Sequence, residues 1–350
     1  MPGDAQPLFS ICCLGYNHAE FLEETIKSII DINYKNTEII IVDDGSKDNS
    51  VEILKEIAKK IPLRMEIIAQ ENTGNIGKNL NNAYKKANGQ FISFISLDDI
   101  YNSSVMLGQI NKMAKNSDLA LIASSKVVNI NSKGFIISDN HTLVLDSMTD
   151  CNTKDLLELE YNEFGAFYIQ GAIFRKSIVD EVGAFDEDII GDDIVLRTKI
   201  FRYMLANPTY EFEITRKNAC FYRLHENNIH KKTSRQIRIV TEYLDRYWSE
   251  RENPRVLISW MCHIIANSKF EEYISIFTIN NRATQLLLDH RIQHQIKKTL
   301  ANEQDILKKI FRLIYRKERK AHNIRTVTLF CFFKFSYAKK KSTPSKRTLF

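Results

Sequence analysis

A short apolar run, Phe91-Ile-Ser-Phe-Ile95, leads through Ser96 and Leu97 into two adjacent carboxylates, Asp98 and Asp99. A buried strand that ends in acid is costly unless the acid emerges where something binds it. In an open α/β sheet that place is the crevice at the carboxyl ends of the strands. The pattern occurs twice. Upstream, Glu38-Ile-Ile-Ile-Val42 is a continuous β-branched run, as expected of a parallel strand covered on both faces, and it runs into Asp43-Asp44-Gly45-Ser46.

The intervening segments keep the same rhythm. Leu8 to Cys13 reads as a first strand, left through Leu14-Gly-Tyr-Asn17. Asn17 suits an N-cap with Glu20 as its capping-box partner. Phe21, Leu22, Thr25, Ile26, Ile29 and Ile30 then recur at helical spacing. A second helix, through Val51, Ile53, Leu54, Ile57 and Ala58, stops at Pro62; Met65 to Ala69 is a third strand. The Gly/Asn loop Asn72 to Lys78 opens a helix through Ala83, Tyr84 and Ala87. This alternation predicts a doubly wound α/β sheet. Right-handed crossovers put the loops after Cys13, Val42 and Ile95 on one edge, which gathers Tyr16, Asn17, Asp43, Asp44, Asp98 and Asp99.

Such an edge suits a hard divalent cation carrying a diphosphate. Asp43 and Asp44 could accept hydrogen bonds from a base N–H or ribose hydroxyls, and Lys78 could meet phosphate. A dinucleotide site would need G-x-G-x-x-G after the first strand, where this chain has Gly15 alone, and no Walker A loop occurs. The bland alternatives are an ordinary Asp-Gly turn at Asp44-Gly45 and a solvated Asp-Asp turn after the Phe91 strand.

The motifs in order resemble family 2 glycosyltransferases: Phe9 to Asn17, Phe21 to Ile29, Glu38 to Ser46 with Asp48, and Asn72-Thr-Gly74. The likeness continues through Asp98-Asp99, Gly171 to Arg175, Val182 to Asp186, Gly191-Asp-Asp193, and Tyr222-Arg-Leu-His225 with Asn228, spanning roughly residues 8 to 230. It implies a GT-A fold, a nucleotide-diphosphate sugar as donor, usually a UDP-sugar, and inversion at the anomeric centre. On that resemblance Tyr16, Asn17, Asp43, Asp44 and Ser46 would hold the nucleotide. The family's D-x-D pattern falls on Ser96-Leu97-Asp98, which makes Asp98 the ligand of Mn²⁺ or Mg²⁺. Ser96 replaces the first aspartate with a hydroxyl, which can accept from ribose but brings no charge; Asp99 follows as a further substrate contact. The family's proline after the first strand is Leu14 here, and its Glu-Asp pair appears as Asp192-Asp193.

Asp192 and Asp193 open a helix, where a carboxylate is favoured as the anion. An acceptor hydroxyl must lose its proton as it attacks the anomeric carbon, and Asp193 is the candidate base, with helix capping as the plain alternative. Gly171 would let the backbone approach a sugar closely. Arg223 and His225 would touch phosphate or metal. Phe164, Phe167 and Tyr168 line this half or are simply core.

The chain of 350 residues is 44% hydrophobic and carries a net charge of +6. Residues 1–230 are read as the GT-A domain, 231–315 as a helical extension and 316–350 as a basic, aromatic tail. The extension's apolar periods run over Ile237–Trp248, Val256–Ala266, Phe270–Phe277, Ala283–His290 and Ile306–Tyr315. The tail's aromatics between Lys/Arg clusters suit an anionic membrane surface, with a solvated basic tail as the alternative. No nucleic-acid-reading motif accompanies the charge. Six cysteines without metal-ligand spacing are expected as free thiols of a reducing compartment. Neither a signal peptide nor a spanning segment is expected. The reading is a bacterial enzyme at the cytoplasmic face of the plasma membrane, acting on a glycan or lipid-linked glycan acceptor. The rivals are a catalytically weak sugar-nucleotide or glycan-binding module, and a nucleotidyltransferase, which would want a Gly-rich basic triphosphate loop near the first strand.

Overall fold

The computed structural model describes residues 6–142, 144–148, 150–226, 233–301, 315–320, 324–329 and 333–338. The chain separates into two compact units, Met1–Leu257 with Ile276–Thr284, and Ile258–Ser275 with Gln285–Phe350.

The first unit begins with β1 (Phe9–Gly15), α1 (Leu22–Ile30), β2 (Thr37–Asp43), α2 (Ser50–Ala58), β3 (Arg64–Ala69), α3 (Ile76–Tyr84) and β4 (Phe91–Ser96). It continues with β5 (Ile100–Tyr101), α4 (Ser103–Lys115), β6 (Leu119–Ser124), β7 (Lys126–Asn131), β8 (Ile136–Thr142) and α5 (Thr153–Asn162). Then come β9 (Ile173–Arg175), α6 (Lys176–Val182), α7 (Asp193–Ala206), β10 (Glu211–Thr215) and β11 (Cys220–Leu224). The main sheet has the order β10-β6-β9-β4-β1-β2-β3. It is parallel except for β9, which runs antiparallel to both β4 and β6. This is the mixed, doubly wound α/β sheet that the strand-helix alternation predicts.

Side chains of a strand alternate between faces, and the core divides accordingly. Cys12, Ile40, Val42, Ile92 and Phe94 pack on one side; Phe9, Ile11, Cys13, Ile39, Ile41, Phe91 and Ile95 pack on the other, against α1 and α4. Each fully buried Ile or Phe contributes roughly 1.5–3 kcal/mol. Cys12, Cys13, Cys151, Cys220 and Cys262 carry free thiols; Cys331 lies outside the described residues.

A second, four-stranded sheet, β5-β11-β7-β8, grows from the end of β4. Its first strand starts one residue after Asp99, and β11 pairs antiparallel with it, Phe221 opposite Ile100. This junction positions the site. Helix α8 (Thr233–Tyr247) joins the same unit: the Thr198 and Tyr243 hydroxyls are 2.7 Å apart.

Further on are α9 (Arg255–Asn267), α10 (Phe270–Ile276), α11 (Asn281–Gln285) with a 3-10 turn over Leu286–Leu288, and a helix over residues 290–301. Of the helix expected over Ile306–Tyr315, all but Tyr315 lies outside the described residues. Tyr315 instead opens β12 (Tyr315–Lys320), which pairs antiparallel with β13 (Ile324–Leu329), itself antiparallel to β14 (Phe333–Ala338). The segment read as a basic, aromatic tail thus carries an antiparallel three-stranded sheet over its described residues. Among the described residues no helix is long and apolar enough to cross a membrane.

Candidate active site

Strand register brings the predicted loops together. Gly15 of β1 pairs with Asp43 of β2, and Leu14 with Ser96 of β4, so the chain leaves all three strands at one edge. There Asp43 is buried and accepts from the Ser46 N–H at 2.8 Å and the Ser46 hydroxyl at 2.5 Å. The Ser46 hydroxyl in turn accepts from the Asn17 N–H at 2.8 Å. Asp44, also buried, accepts from the N–H groups of Thr73 and Gly74 at 2.8 and 3.1 Å, which folds the Gly/Asn loop back over β2. Lys78 stands exposed in the first turn of α3, its N–H capped by the Asn75 side chain, and Tyr16 is 40% exposed.

Asn17 does not cap α1. It adopts a left-handed backbone, φ 54°, and its side-chain oxygen accepts from the Lys47 N–H at 2.7 Å. The helix begins at Leu22 with no side-chain cap. Tying the β1 loop to the β2 loop outweighs the local capping box because it satisfies donors of both.

The turn after β4 is fixed from outside. The Thr25 hydroxyl lies 3.0 Å from the Leu97 carbonyl and 2.8 Å from the Asp99 carbonyl. Asp98 and Asp99 then diverge. Asp99 accepts from the Arg223 N–H at 2.9 Å. Asp98 faces two imidazoles: Nε2 of His225 is 2.9 Å from its Oδ2, and Nε2 of His18 is 3.8 Å from the same oxygen. His225 arrives because β11 is anchored to β5. His18 arrives because the β1 loop adjoins the β4 loop. Burial would raise the Asp98 carboxyl, but the His225 hydrogen bond, the charge of His18 and the Ser96 hydroxyl outweigh it and hold the group at about 2. Burial, then the charge of Asp98, pushes Asp99 up. Burial also lowers His18, favouring the neutral imidazole that ligates metals.

A divalent cation fits these residues. Ligand atoms of His18, Asp98 and His225 all lie within 4.8 Å of one another. Among the described residues, Oδ1 of Asp98 and Nδ1 of His18 are buried with no hydrogen-bond partner, an arrangement that a ligand or water would relieve. Nothing local marks His18 in the sequence, because a lone histidine after a strand carries no signal of its own.

Arg223 is fully buried and committed to protein: its Nε donates to the Asp98 carbonyl at 2.7 Å, its Nη1 to the carbonyls of Asn131 and Ser132, and its Nη2 to Glu24 at 2.6 Å. It braces the Asp98 turn. Gly171 adopts φ 81°, and a Cβ there would come within 2.9 Å of the Ala219 Cβ; the close approach its lack of side chain permits is to β11's leading edge.

Asp193 opens α7, beside Asp192, whose carboxylate accepts from the Asp193 N–H at 2.8 Å. Oδ2 of Asp193 accepts from the Ile169 N–H at 3.3 Å, and Gln170, next along, bridges to Phe94 of β4. Burial, then the charge of Asp192, pushes Asp193 up to about 7, with Arg197 pulling the other way; burial raises Asp192 too. Arg197, one turn on, is 3.4 Å from Asp193 Oδ2 and is gripped by the fully buried Glu160 at 2.7 Å. The rings of Tyr168 and Tyr222 pack 5.9 Å apart nearby, and the charges of Asp99 and Asp193 both raise their hydroxyls after burial does.

The site thus combines buried carboxylates at the carboxyl ends of parallel strands, a turn able to hold a cation, and a carboxyl raised towards neutrality. Residues 10–183 match the family model described as Glycosyl transferase family 2. The chain belongs to that family. It is 26% identical over 220 residues to a poly-beta-1,6-N-acetyl-D-glucosamine synthase of Staphylococcus epidermidis, covering 62% of this chain and 50% of the relative. A Staphylococcus aureus protein of the same description is 26% identical over 193 residues, covering 55% and 45%. The chain therefore spans about half the length of the curated relatives it matches. Among solved structures, the mannosyltransferase PcManGT from Pyrobaculum calidifontis, in complex with GDP-Man and Mn²⁺, superposes with TM-score 0.52 at 14% identity over 88% of each chain. S. aureus TarS 1-349 in complex with UDP gives TM-score 0.52 at 16% identity over 92% of this chain and 96% of that one. These likenesses identify the fold as GT-A.

Proposed function

We propose that this chain is an inverting glycosyltransferase. It moves a sugar from a nucleotide-diphosphate sugar, a UDP-sugar, to a hydroxyl of a glycan or lipid-linked glycan during synthesis of a bacterial surface polysaccharide or lipopolysaccharide. The observation that carries the reading is the convergence of Asp43, Asp44 and Asp98 at one sheet edge, with Asp193 held beside the same strand β4. The staphylococcal synthases and the UDP complex of TarS support the choice of donor and of a glycan acceptor.

In this reading Tyr16, Asn17, Asp43, Asp44 and Ser46 seat the nucleotide. Ser96 meets the ribose and Lys78 the phosphate. Asp98 and His225 hold a divalent cation, Mn²⁺ or Mg²⁺, which when bound offsets the charge gathering on the diphosphate. Arg223 and Asp99 are positioning residues that fix the Asp98 turn, and Gly171 lets β11 close on it. Asp193 accepts the proton of the acceptor hydroxyl while that oxygen attacks the anomeric carbon from the face opposite the diphosphate. The carbon–oxygen bond to the diphosphate breaks, and the nucleoside diphosphate leaves with the bonding pair. Asp192 orients Asp193 through its N–H. Residues 316–350 would add an anionic membrane surface as a partner on the cytoplasmic side; the side chains of that stretch lie outside the described residues.

The test is release of UDP from UDP-GlcNAc, and from other UDP-sugars, with Mn²⁺ and glycan acceptors. Asp193→Asn lowers turnover by roughly 10²–10⁴-fold, the usual worth of a general base, while leaving UDP binding intact. A second reading, a sugar-nucleotide or glycan-binding module of little activity, is favoured by Ser96 alone. It predicts UDP binding with no turnover that Asp193→Asn can reduce.

A further inference from the structure

Asp98, whose motif carries Ser96 in place of a second carboxylate, has a neighbour in His18 that the family likeness does not account for. His18 follows the Tyr16-Asn17 pair, and its placement is enforced: its N–H donates to the Ser50 hydroxyl at 3.2 Å, and the adjoining Ala19 N–H donates to Asp48 at 3.1 Å. The ring is largely covered, stands edge-on to His225 with centroids 6.0 Å apart, and rests its other side on Phe21 at 6.2 Å. Both Nε2 atoms point at one oxygen of Asp98, at 2.9 and 3.8 Å. The second Asp98 oxygen is buried and has no hydrogen-bond partner among the described residues.

We infer that His18 is a third protein ligand of the cation, completing a two-imidazole, one-carboxylate set with Asp98 and His225 that favours a first-row transition cation over Mg²⁺. The chemistry of the donors carries the selectivity. Mg²⁺ prefers oxygen and is usually held by carboxylates and substrate phosphates. Imidazole nitrogens favour the transition series, with affinity rising from Mn²⁺ to Co²⁺. Replacing one carboxylate by Ser96 while adding His18 moves the site in that direction. Three protein ligands also leave positions for diphosphate oxygens, as a donor site requires. The inference rests on the reading above that Asp98 anchors the cation.

The test is direct cation binding by the full chain, without turnover. Mn²⁺ is titrated by electron paramagnetic resonance, alone and with UDP, and Mg²⁺ is added as competitor; Co²⁺ binding is followed by its visible absorption. Wild type binds Co²⁺ and Mn²⁺ more tightly than Mg²⁺. His18→Ala weakens Mn²⁺ by at least about ten-fold, the lower end of what losing even an outer-shell partner costs; it shrinks the Mn²⁺-to-Mg²⁺ preference and shifts the Co²⁺ bands. His18→Gln, which keeps the bulk, does the same, and melts of both variants by circular dichroism establish that they are folded. Unchanged Mn²⁺ affinity and preference in both variants would overturn the role of His18. Asp98→Ala, run beside them, separates the two failures: if it too leaves binding unchanged, the donor-site reading falls, whereas its loss of binding with His18 variants intact removes His18 alone. Absence of cation binding by wild type in every condition would overturn both.

Discussion

Arg197 and Asp193 face one another along the first turn of α7, Nη1 to Oδ2 at 3.4 Å, and Arg197 is held there by Glu160 from α5. The pair sets the working range of the proposed base. Burial and the charge of Asp192 raise Asp193 to about 7, and Arg197 limits the rise. A raised carboxyl is protonated below that value and ionised above it, and only the ionised form can accept a proton. Turnover therefore increases with pH through about 7, and the Asp193→Asn protein shows no such rise. A pH profile of kcat with saturating donor checks it; a rate already flat from pH 5 upward would contradict it.

Glu160 and Arg197 form a buried ion pair, both almost wholly shielded from water. Removing one partner leaves the other charge uncompensated, which typically destabilises by about 3–5 kcal/mol. Glu160→Ala is expected to lose that much in urea unfolding, far more than Glu56→Ala, whose ion pair with Lys59 is exposed and screened by solvent.

Gly171 holds φ 81° with the Ala219 backbone carbon 3.1 Å from any added Cβ. Gly171→Ala both strains the backbone and overpacks the junction of the two sheets, so a loss of about 1–3 kcal/mol is expected. Thermal melts measure it, and Gly108→Ala, where a Cβ meets nothing within 4 Å, serves as the permissive control.

Asp44 holds the N–H groups of Thr73 and Gly74. Hydrogen bonds to a charged acceptor contribute about 1.5–3 kcal/mol, so Asp44→Ala releases this loop. Hydrogen exchange at Thr73 and Gly74 accelerates by roughly ten-fold or more, a factor that each 1.4 kcal/mol supplies, and UDP affinity falls. Unchanged exchange at both amides would show that the loop is held by other contacts.

The parallel half of the fold was legible because its strands are short, mostly apolar runs and its helices repeat their apolar residues at helical spacing. The acid pairs Asp43-Asp44 and Asp98-Asp99 were legible as an edge because there the local strand-helix pattern corresponds directly to parallel strands with right-handed crossovers, whose carboxyl ends share one edge. Beyond Asp99 that correspondence ends. Strand β9, three residues long, inserts antiparallel between β4 and β6 through pairings some 50 to 80 residues distant, which local periodicity does not encode. Arg223 looked like a phosphate contact because its burial depends on carbonyls from the β7–β8 turn. Asn17 looked like a helix cap because its partner, the Lys47 N–H, is thirty residues away. His18, Glu160 and Arg197 were invisible for the same reason: their meaning lies in long-range partners.

The carboxyl edge of β1, β2 and β4, with Asp98 as its anchor, is proposed as a cation-dependent nucleotide-diphosphate site. Calorimetric titration of the full chain with UDP and with GDP, each with and without Mn²⁺, tests it most directly. UDP binding is expected to need Mn²⁺, to exceed that of GDP and to disappear in Asp98→Ala. Failure of both nucleotides to bind under every condition, or UDP binding indifferent to Mn²⁺ and to Asp98→Ala, would contradict it.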